Sequence, residues 1–594
     1  MPGKDRIIIA NASGFWGDEA AAVARQVRGG PIDYLTMDYL AEITMIILAR
    51  QKAESEESGY ARDFVAHVGG VLQDVASKGI TVIANAGGMN PGACARALDR
   101  LMEERGMKLP IAIVDGDDLM PRMQDLVKAG AVFPHVETGE PVGDKLAKVN
   151  SANAYIGARP IVGALERGAR IVITGRTYDA ASVVAPMVYE FGWSWDDFDR
   201  LASGLLAGHL IECGSQVTGG NYTFWREVPS WAEMGYPLVE VSRDGSFVLT
   251  KHPNTGGIVN VRTATEQTLY EIGDPRAYAS PDVVADFTAA HYEQIGPDRV
   301  RVTGARGRAP TDQLKVSMTY DAGFKLSASL VVSGPDPLAK AEKYAEIYWS
   351  RVGTAGLEEH RTEFIGQSAC WGAAAPPATP NEIVLRFGAR SRDPKRLQKL
   401  ARELPGIALA GPVGICGAGT RPDIGPVFGY WPALMPRALV TARTFIDGTS
   451  YEYPCDAGAS SPIVVSPESE EPTSTSSARR VRVALARVAY GRSGDKGDTC
   501  NIGIAALTPR LYPELVRELT AERIADFYAS SIRGSVSRYR LDNLFAMNFV
   551  LRGALGGGGT VSLMLDNQGK TMAQGLLTMQ VEIAEDLLPA EAGS

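Results

Sequence analysis

The feature that most constrains the fold is a strand–helix alternation at the start of the chain. Five short apolar runs rich in β-branched residues lie at Arg6–Ala10, Ile32–Met37, Thr81–Ala84, Ile111–Val114 and Arg170–Thr174. Helical patterns separate them over Asp18–Arg28, Leu40–Lys52, Ala61–Lys78, Pro91–Glu104 and Met120–Ala129. This order predicts an α/β body: a mainly parallel sheet flanked by helices. Such sheets bind ligands where loops leave the carboxyl ends of the strands. Glycine-rich and polar segments stand at those places: Asn11–Asp18, Asn85–Gly92, Asp115–Asp118 and Gly175–Asp179. Four such loops along one sheet edge make one polar cleft.

Beyond about residue 230 the pattern turns more β-rich, with strand-like stretches at Leu238–Val241, Val259–Arg262, Val300–Thr303 and Leu326–Val332. A helical stretch follows over Pro337–Val352. The segment Ser466–Ser477 carries two prolines and no large apolar side chain, so it has nothing to bury and reads as a linker. The division expected is a body over 1–465, with a subdivision near 230, a linker over 466–479, and a tail domain over 480–594. The tail reads as strand, loop, strand, a helix over Tyr512–Tyr528, and further strands at Phe545–Arg552, Val561–Leu565 and Gln574–Ile583. One or two helices on an antiparallel sheet, an α+β arrangement, is the economical solution.

A chain of 594 residues exceeds one hydrophobic core. A net charge of −9 argues against nucleic-acid binding, which favours a basic face. No run reaches the roughly 18 apolar residues of a membrane span. The start, Met1–Arg6, lacks the apolar stretch of a signal peptide. A soluble cytoplasmic protein is expected. The six cysteines form no C-x-x-C pair, which speaks against a disulfide framework or structural zinc.

Three groups of residues can carry chemistry. The first is Gly208–Asn221, which holds His209, Glu212, Cys213 and Asn221. If the helix through Ser203–Ile211 runs one residue further, His209 and Glu212 share a face, as a general acid/base pair requires. The bland alternative is a helix-end histidine beside a solvated glutamate. The second group is the pair of strand-end loops. Gly87, Gly88 and Asn90 precede a helix whose N-terminus favours an anion. Arg176 offers a guanidinium for a carboxylate or phosphate, and Asp179 either joins the acid/base set or caps the next helix. The third is Arg492–Asn501, read as a ligand loop with Arg492, Asp495, Lys496 and Asp498 as binding groups. No H-E-x-x-H, G-x-G-x-x-G or P-loop is present, so neither a metal nor a nucleotide cofactor is expected. Asp115, Asp117 and Asp118 are the one cluster with oxygen ligands for magnesium, and an aspartate-rich turn is the plainer reading.

Six motifs in order resemble the acyclic terpene utilisation family, AtuA type. They are Ser13–Asp18, Asp38–Met45, Asn85–Pro91, Gly175–Asp179, Gly208–Gly214 and Arg492–Asp498. The resemblance implies a large N-terminal domain and a small C-terminal ferredoxin-like domain. It also implies a place in the breakdown of terpenoids as coenzyme A thioesters, and it supplies no catalytic residues. The expectation is a catabolic enzyme acting on a small carboxylic acid or acyl-CoA thioester, a lyase or hydratase using His209, Glu212 and Asp179. It is expected to form a homo-oligomer, with Asp495, Lys496 and Asp498 covering the cleft of the body. The alternatives are a non-catalytic subunit or scaffold of a catabolic complex and a metal-dependent hydrolase.

Overall fold

The structure is a computed structural model describing residues 4–367, 369–418, 421–465 and 467–590. The chain forms two compact units. The first comprises Met1–Thr319, Trp431–Ser469 and Tyr539–Ala546; the second comprises Tyr320–Tyr430, Glu470–Arg538 and Met547–Ser594.

The first unit is built on an eleven-stranded mixed sheet. At its centre run five parallel strands, first to fifth in chain order: Arg6–Asn11, Tyr34–Met37, Thr81–Ala84, Ile111–Asp115 and Ile171–Thr174. Their order across the sheet is first, second, third, fifth, fourth. The fourth strand leaves a gap that the fifth returns to fill, and a reversal of winding of this kind opens a crevice at the carboxyl ends. Second, third and fifth strands are apolar on both faces, as a sheet covered on both sides requires. Antiparallel strands extend the sheet on either side: Pro237–Ser242 beside the first strand and Thr441–Ile446 beside the fourth.

The helices are placed by their caps and apolar faces. Asn90 caps Pro91–Glu104 by accepting from the Ala93 amide, with Pro91 in the first turn. The pattern over Ala61–Lys78 is two helices, Arg62–Gly69 and Leu72–Lys78, parted at Gly70–Val71. The strand expected over Val259–Arg262 is instead a helix start. Asn260 and Thr263 form a reciprocal cap, and the helix runs over Val261–Thr268. That helix is polar yet buried at Thr263, Thr265, Glu266, Gln267 and Thr268. Among the described residues no helix is long and apolar enough to cross a membrane.

In the second unit the strand Glu382–Ser391 pairs antiparallel with Phe324–Ser333 and with Glu359–Ile365. Helices Pro337–Val352 and Pro394–Glu403 bury Tyr344, Tyr348, Leu397 and Leu400 in one core with Phe387. The tail carries a four-stranded sheet ordered Ala489–Lys496, Thr499–Ala506, Ala546–Leu551, Val536–Leu541. Two helices, Tyr512–Glu518 and Ala521–Phe527, stand where a single one was expected, and Leu515 and Ile524 join Ile502, Ile504 and Phe549 in its core. The expected strand at Val561–Leu565 is loop. Gln574–Ile583 is the end of a short helix followed by the strand Gln580–Ala584.

Candidate active site

Five loops leave the carboxyl ends of the parallel strands, and their side chains are tied to one another. After the first strand, Ser13 Oγ donates to the Asp38 carbonyl at 3.1 Å and the Gly14 amide donates to Asp18 Oδ2 at 2.8 Å. A Cβ on Gly14 would stand 2.6 Å from the Cys213 backbone, so only glycine lets this loop meet the end of the helix Phe198–Ile211. After the second strand, Asp38 Oδ1 accepts from Asn85 Nδ2 at 2.6 Å and from the Leu40 amide at 3.0 Å. Asn85, from the loop after the third strand, in turn accepts from the Tyr39 amide at 2.8 Å.

The loop after the fifth strand supplies the centre of the network. The Arg176 guanidinium is buried. It donates to the Leu40 carbonyl at 2.7 Å and to the Tyr155 hydroxyl at 2.8 Å, and its Nη1 lies 3.1 Å from Asp179 Oδ1. Burial disfavours its charge, but Tyr155, Asp179 and Asp38 more than compensate and raise its pKa. Asp38 shifts the other way for a carboxyl. Burial and the neighbouring Asp179 carboxylate push it well above the usual carboxylate range, and Arg176, Asn85 and the Leu40 amide oppose this only partly. Both aspartates remain partly accessible. Two carboxyls thus stand around one guanidinium, and the proton affinity of Asp38 is raised.

Beneath this centre Asp117 is fully buried. Its Oδ2 accepts from the Arg176 amide at 2.9 Å and from Asn153 Nδ2 at 2.8 Å. Burial raises its pKa to about 7. Asp115 pairs with Arg443 and Asp118 with Lys52. The three aspartates thus turn to different partners, and among the described residues no group of three or more His, Cys, Asp or Glu is arranged to hold a metal ion.

The last turn of Phe198–Ile211 brings in the other acid/base candidates. His209 Nδ1 lies 3.3 Å from Glu212 Oε1, and the buried imidazole packs against the rings of Tyr278 and Phe287, at centroid distances of 5.4 and 5.7 Å. Glu212 caps the helix end, and its amide donates to the Gly208 carbonyl. The Cys213 thiol is pushed well up by burial and then by the Glu212 and Glu271 carboxylates, which keeps it protonated. Glu271 has a φ of 55°, a left-handed conformation uncommon for a non-glycine residue and concentrated at functional sites.

The remaining candidates in this unit have structural partners. Gly87 and Gly88 are buried in the turn after the third strand. Asn90 Nδ2 donates to the carbonyls of Glu56 and Ser58 at 2.7 and 2.9 Å. Asn221 is exposed, has a φ of 52°, and donates to Gln216 Oε1 at 3.1 Å. Asp38 and Tyr278 were not among the site residues read from the sequence, and Asp38 entered it only as the first residue of the motif Asp38–Met45. Their signal was slight: a lone aspartate after a strand and a tyrosine in an irregular stretch.

In the second unit, Arg492–Asn501 is a β-hairpin rather than a loop. Arg492 pairs with Gly503 and Lys496 with Thr499, which leaves Gly497-Asp498 as a two-residue turn. Gly497 takes a φ of 68° at the first central position, where a type II′ turn requires it. Arg492 is buried, Asp495 lies 2.9 Å from Lys570 Nζ, and Lys496 is exposed. Asp498 Oδ1 accepts from the amides of Leu555 and Gly557 at 3.1 and 2.7 Å. That bond fixes the run Gly556–Gly559, in which all four glycines have positive φ.

No curated protein and no solved structure matches the chain. Two family profiles do. The acyclic terpene utilisation family protein AtuA matches residues 7–446, and the AtuA ferredoxin-like domain matches residues 483–582. The first covers most of the chain and spans every loop of the cleft. The chain belongs to the acyclic terpene utilisation family, AtuA type.

Proposed function

We propose that the protein is a catabolic enzyme that adds or removes a small group next to a carboxyl or thioester carbonyl, as a lyase or hydratase. The observation that supports this reading is the placement of Asp179 3.1 Å from the Arg176 guanidinium, with Asp38 as a further carboxyl neighbour of both. Chemistry of this type needs a base for a carbon-bound proton and an acid for the leaving oxygen, with separated proton affinities. Asp179, with its Oδ1 3.1 Å from Arg176 Nη1, is the base. Asp38, kept protonated by burial and by Asp179, is the acid.

In the dehydrating direction Asp179 takes the proton α to the carbonyl, and the C–H electron pair becomes the new C=C bond. The C–O bond at the β carbon breaks, Asp38 gives its proton to the departing hydroxyl, and water leaves. Hydration is the reverse. Between turnovers Asp179 gives up its proton and Asp38 regains one; we assign the His209–Glu212 pair, 3.3 Å apart, to that transfer. The family assignment supports a substrate drawn from acyclic terpenoid breakdown, a small acid or its coenzyme A thioester. The acidic net charge supports action on small molecules rather than on nucleic acid. We place the protein in the cytoplasm as a homo-oligomer, which sedimentation of the native protein tests.

The test of the activity is incubation with a panel of short 3-hydroxyacyl and enoyl thioesters in deuterated water, read by mass spectrometry. Native protein is expected to place deuterium at the α carbon, and Asp179→Asn to abolish this. A folded native protein inert across the panel overturns the proposal.

A further inference from the structure

Tyr278 stands among the acid/base candidates but comes from a different part of the chain. It lies on the short strand Tyr278–Ala279, opposite Ala285, in a three-stranded sheet separate from the main one. Its ring is fixed on two sides. It stacks on Phe287 at 5.1 Å between centroids, with planes 25° apart, and meets the His209 imidazole at 5.4 Å. A ring held this way has little rotational freedom, so its hydroxyl is preorganised. The residue is half-buried.

The groups that bear on this hydroxyl come from four other segments. They are Asp179 after the fifth strand, Glu212 at the end of Phe198–Ile211, Glu271 in its left-handed turn, and Lys315. Burial and the three carboxylates hold the phenol protonated, with Lys315 opposing. In a cleft rich in carboxylates a neutral O–H is a donor that brings no positive charge to displace Arg176 from its partners. The acid/base pair leaves one need unmet. When Asp179 removes the α proton, negative charge develops on the carbonyl oxygen, and a donor aimed at that oxygen lowers the barrier.

We propose that Tyr278 is a further catalytic residue, its hydroxyl donating a hydrogen bond to the substrate carbonyl oxygen as the α proton leaves. The O–H bond is not broken: Asp179 accepts the α proton, and Tyr278 stabilises the enolate oxygen until the β C–O bond breaks. This rests on the acid–base reading above, and the test separates the two.

The experiment compares native protein, Tyr278→Phe, Tyr278→His and Asp38→Asn on the same thioester panel, with melting temperature as the check on folding. Tyr278→Phe keeps the stacked ring and is expected to lose about 10²–10³-fold in kcat with an unchanged melting temperature. Tyr278→His restores a ring donor and is expected to recover part of that loss. Native turnover in folded Tyr278→Phe, with Asp38→Asn impaired, overturns the role of Tyr278 and leaves the acid–base reading standing. A native protein inert on the panel overturns both. If Tyr278→Phe fails to fold, the histidine variant decides: retained turnover supports a donor, and complete loss in a folded protein contradicts it.

Discussion

Arg176 Nη1 sits 3.1 Å from Asp179 Oδ1, and the same guanidinium donates to the Leu40 carbonyl, two residues beyond Asp38. One side chain thus ties the loop after the second strand to the loop after the fifth. Truncating it to methionine leaves the Leu40 carbonyl and the Tyr155 hydroxyl without that donor. Arg176→Met is expected to lose about 1–3 kcal/mol of stability and most turnover, as read by chemical denaturation and thioester assay. Unchanged stability contradicts the bracing role.

Asp117 gives a pH dependence of stability. In the folded chain its carboxyl keeps its proton up to about pH 7, and in the unfolded chain it ionises in the ordinary carboxylate range. Between those limits the folded state binds more protons, so this contribution to stability is greatest at low pH and falls as pH rises towards 7. Asp117→Asn removes the titration, and its amide oxygen still accepts from Arg176 and Asn153. The melting temperature of the variant relative to native is expected to rise between pH 5 and pH 7. A difference that stays flat across that range contradicts the buried, proton-holding state.

Glu212→Gln keeps the length and burial of the helix-end side chain and removes its charge beside His209. Turnover is expected to fall about 10²–10⁴-fold with the melting temperature close to native. Full activity demotes the His209–Glu212 pair to a helix terminus.

Asp498 tests whether the hairpin turn of the second unit is architectural. Asp498→Ala deprives the Leu555 and Gly557 amides of their acceptor. The expected cost is about 1–3 kcal/mol, with hydrogen exchange rising first around Gly556–Gly559. Unchanged protection there shows that the glycine run holds itself.

The parallel core was legible because its strands are apolar on both faces and each ends in a polar or glycine-rich loop. Thr81–Ala84 and Pro91–Glu104 fall where periodicity and the Asn90-Pro91 cap place them. The buried polar helix Val261–Thr268 was not legible, because its threonines read as strand and the reciprocal cap of Asn260 and Thr263 is a side-chain event. The hairpin Ala489–Ala506 was not legible because charged residues mask its strand pattern: Arg492 is buried in a paired strand, and only Lys496 beside the turn is exposed. The proximity of His209 and Glu212 was legible in their helical spacing. Asp38 was missed because its altered proton affinity comes from Asp179 and Asn85, which are distant in sequence.

The central claim, that Asp38 acts as the acid beside Asp179, is tested most directly by the pH dependence of kcat/KM for native protein and Asp38→Asn on a thioester that native protein turns over. An acid must be protonated to work, so native activity is expected to fall as pH rises through the raised Asp38 pKa. Asp38→Asn is expected to be slower by about 10²–10⁴-fold and to lose that basic limb. An asparagine variant with native turnover and an unmoved limb would contradict the account.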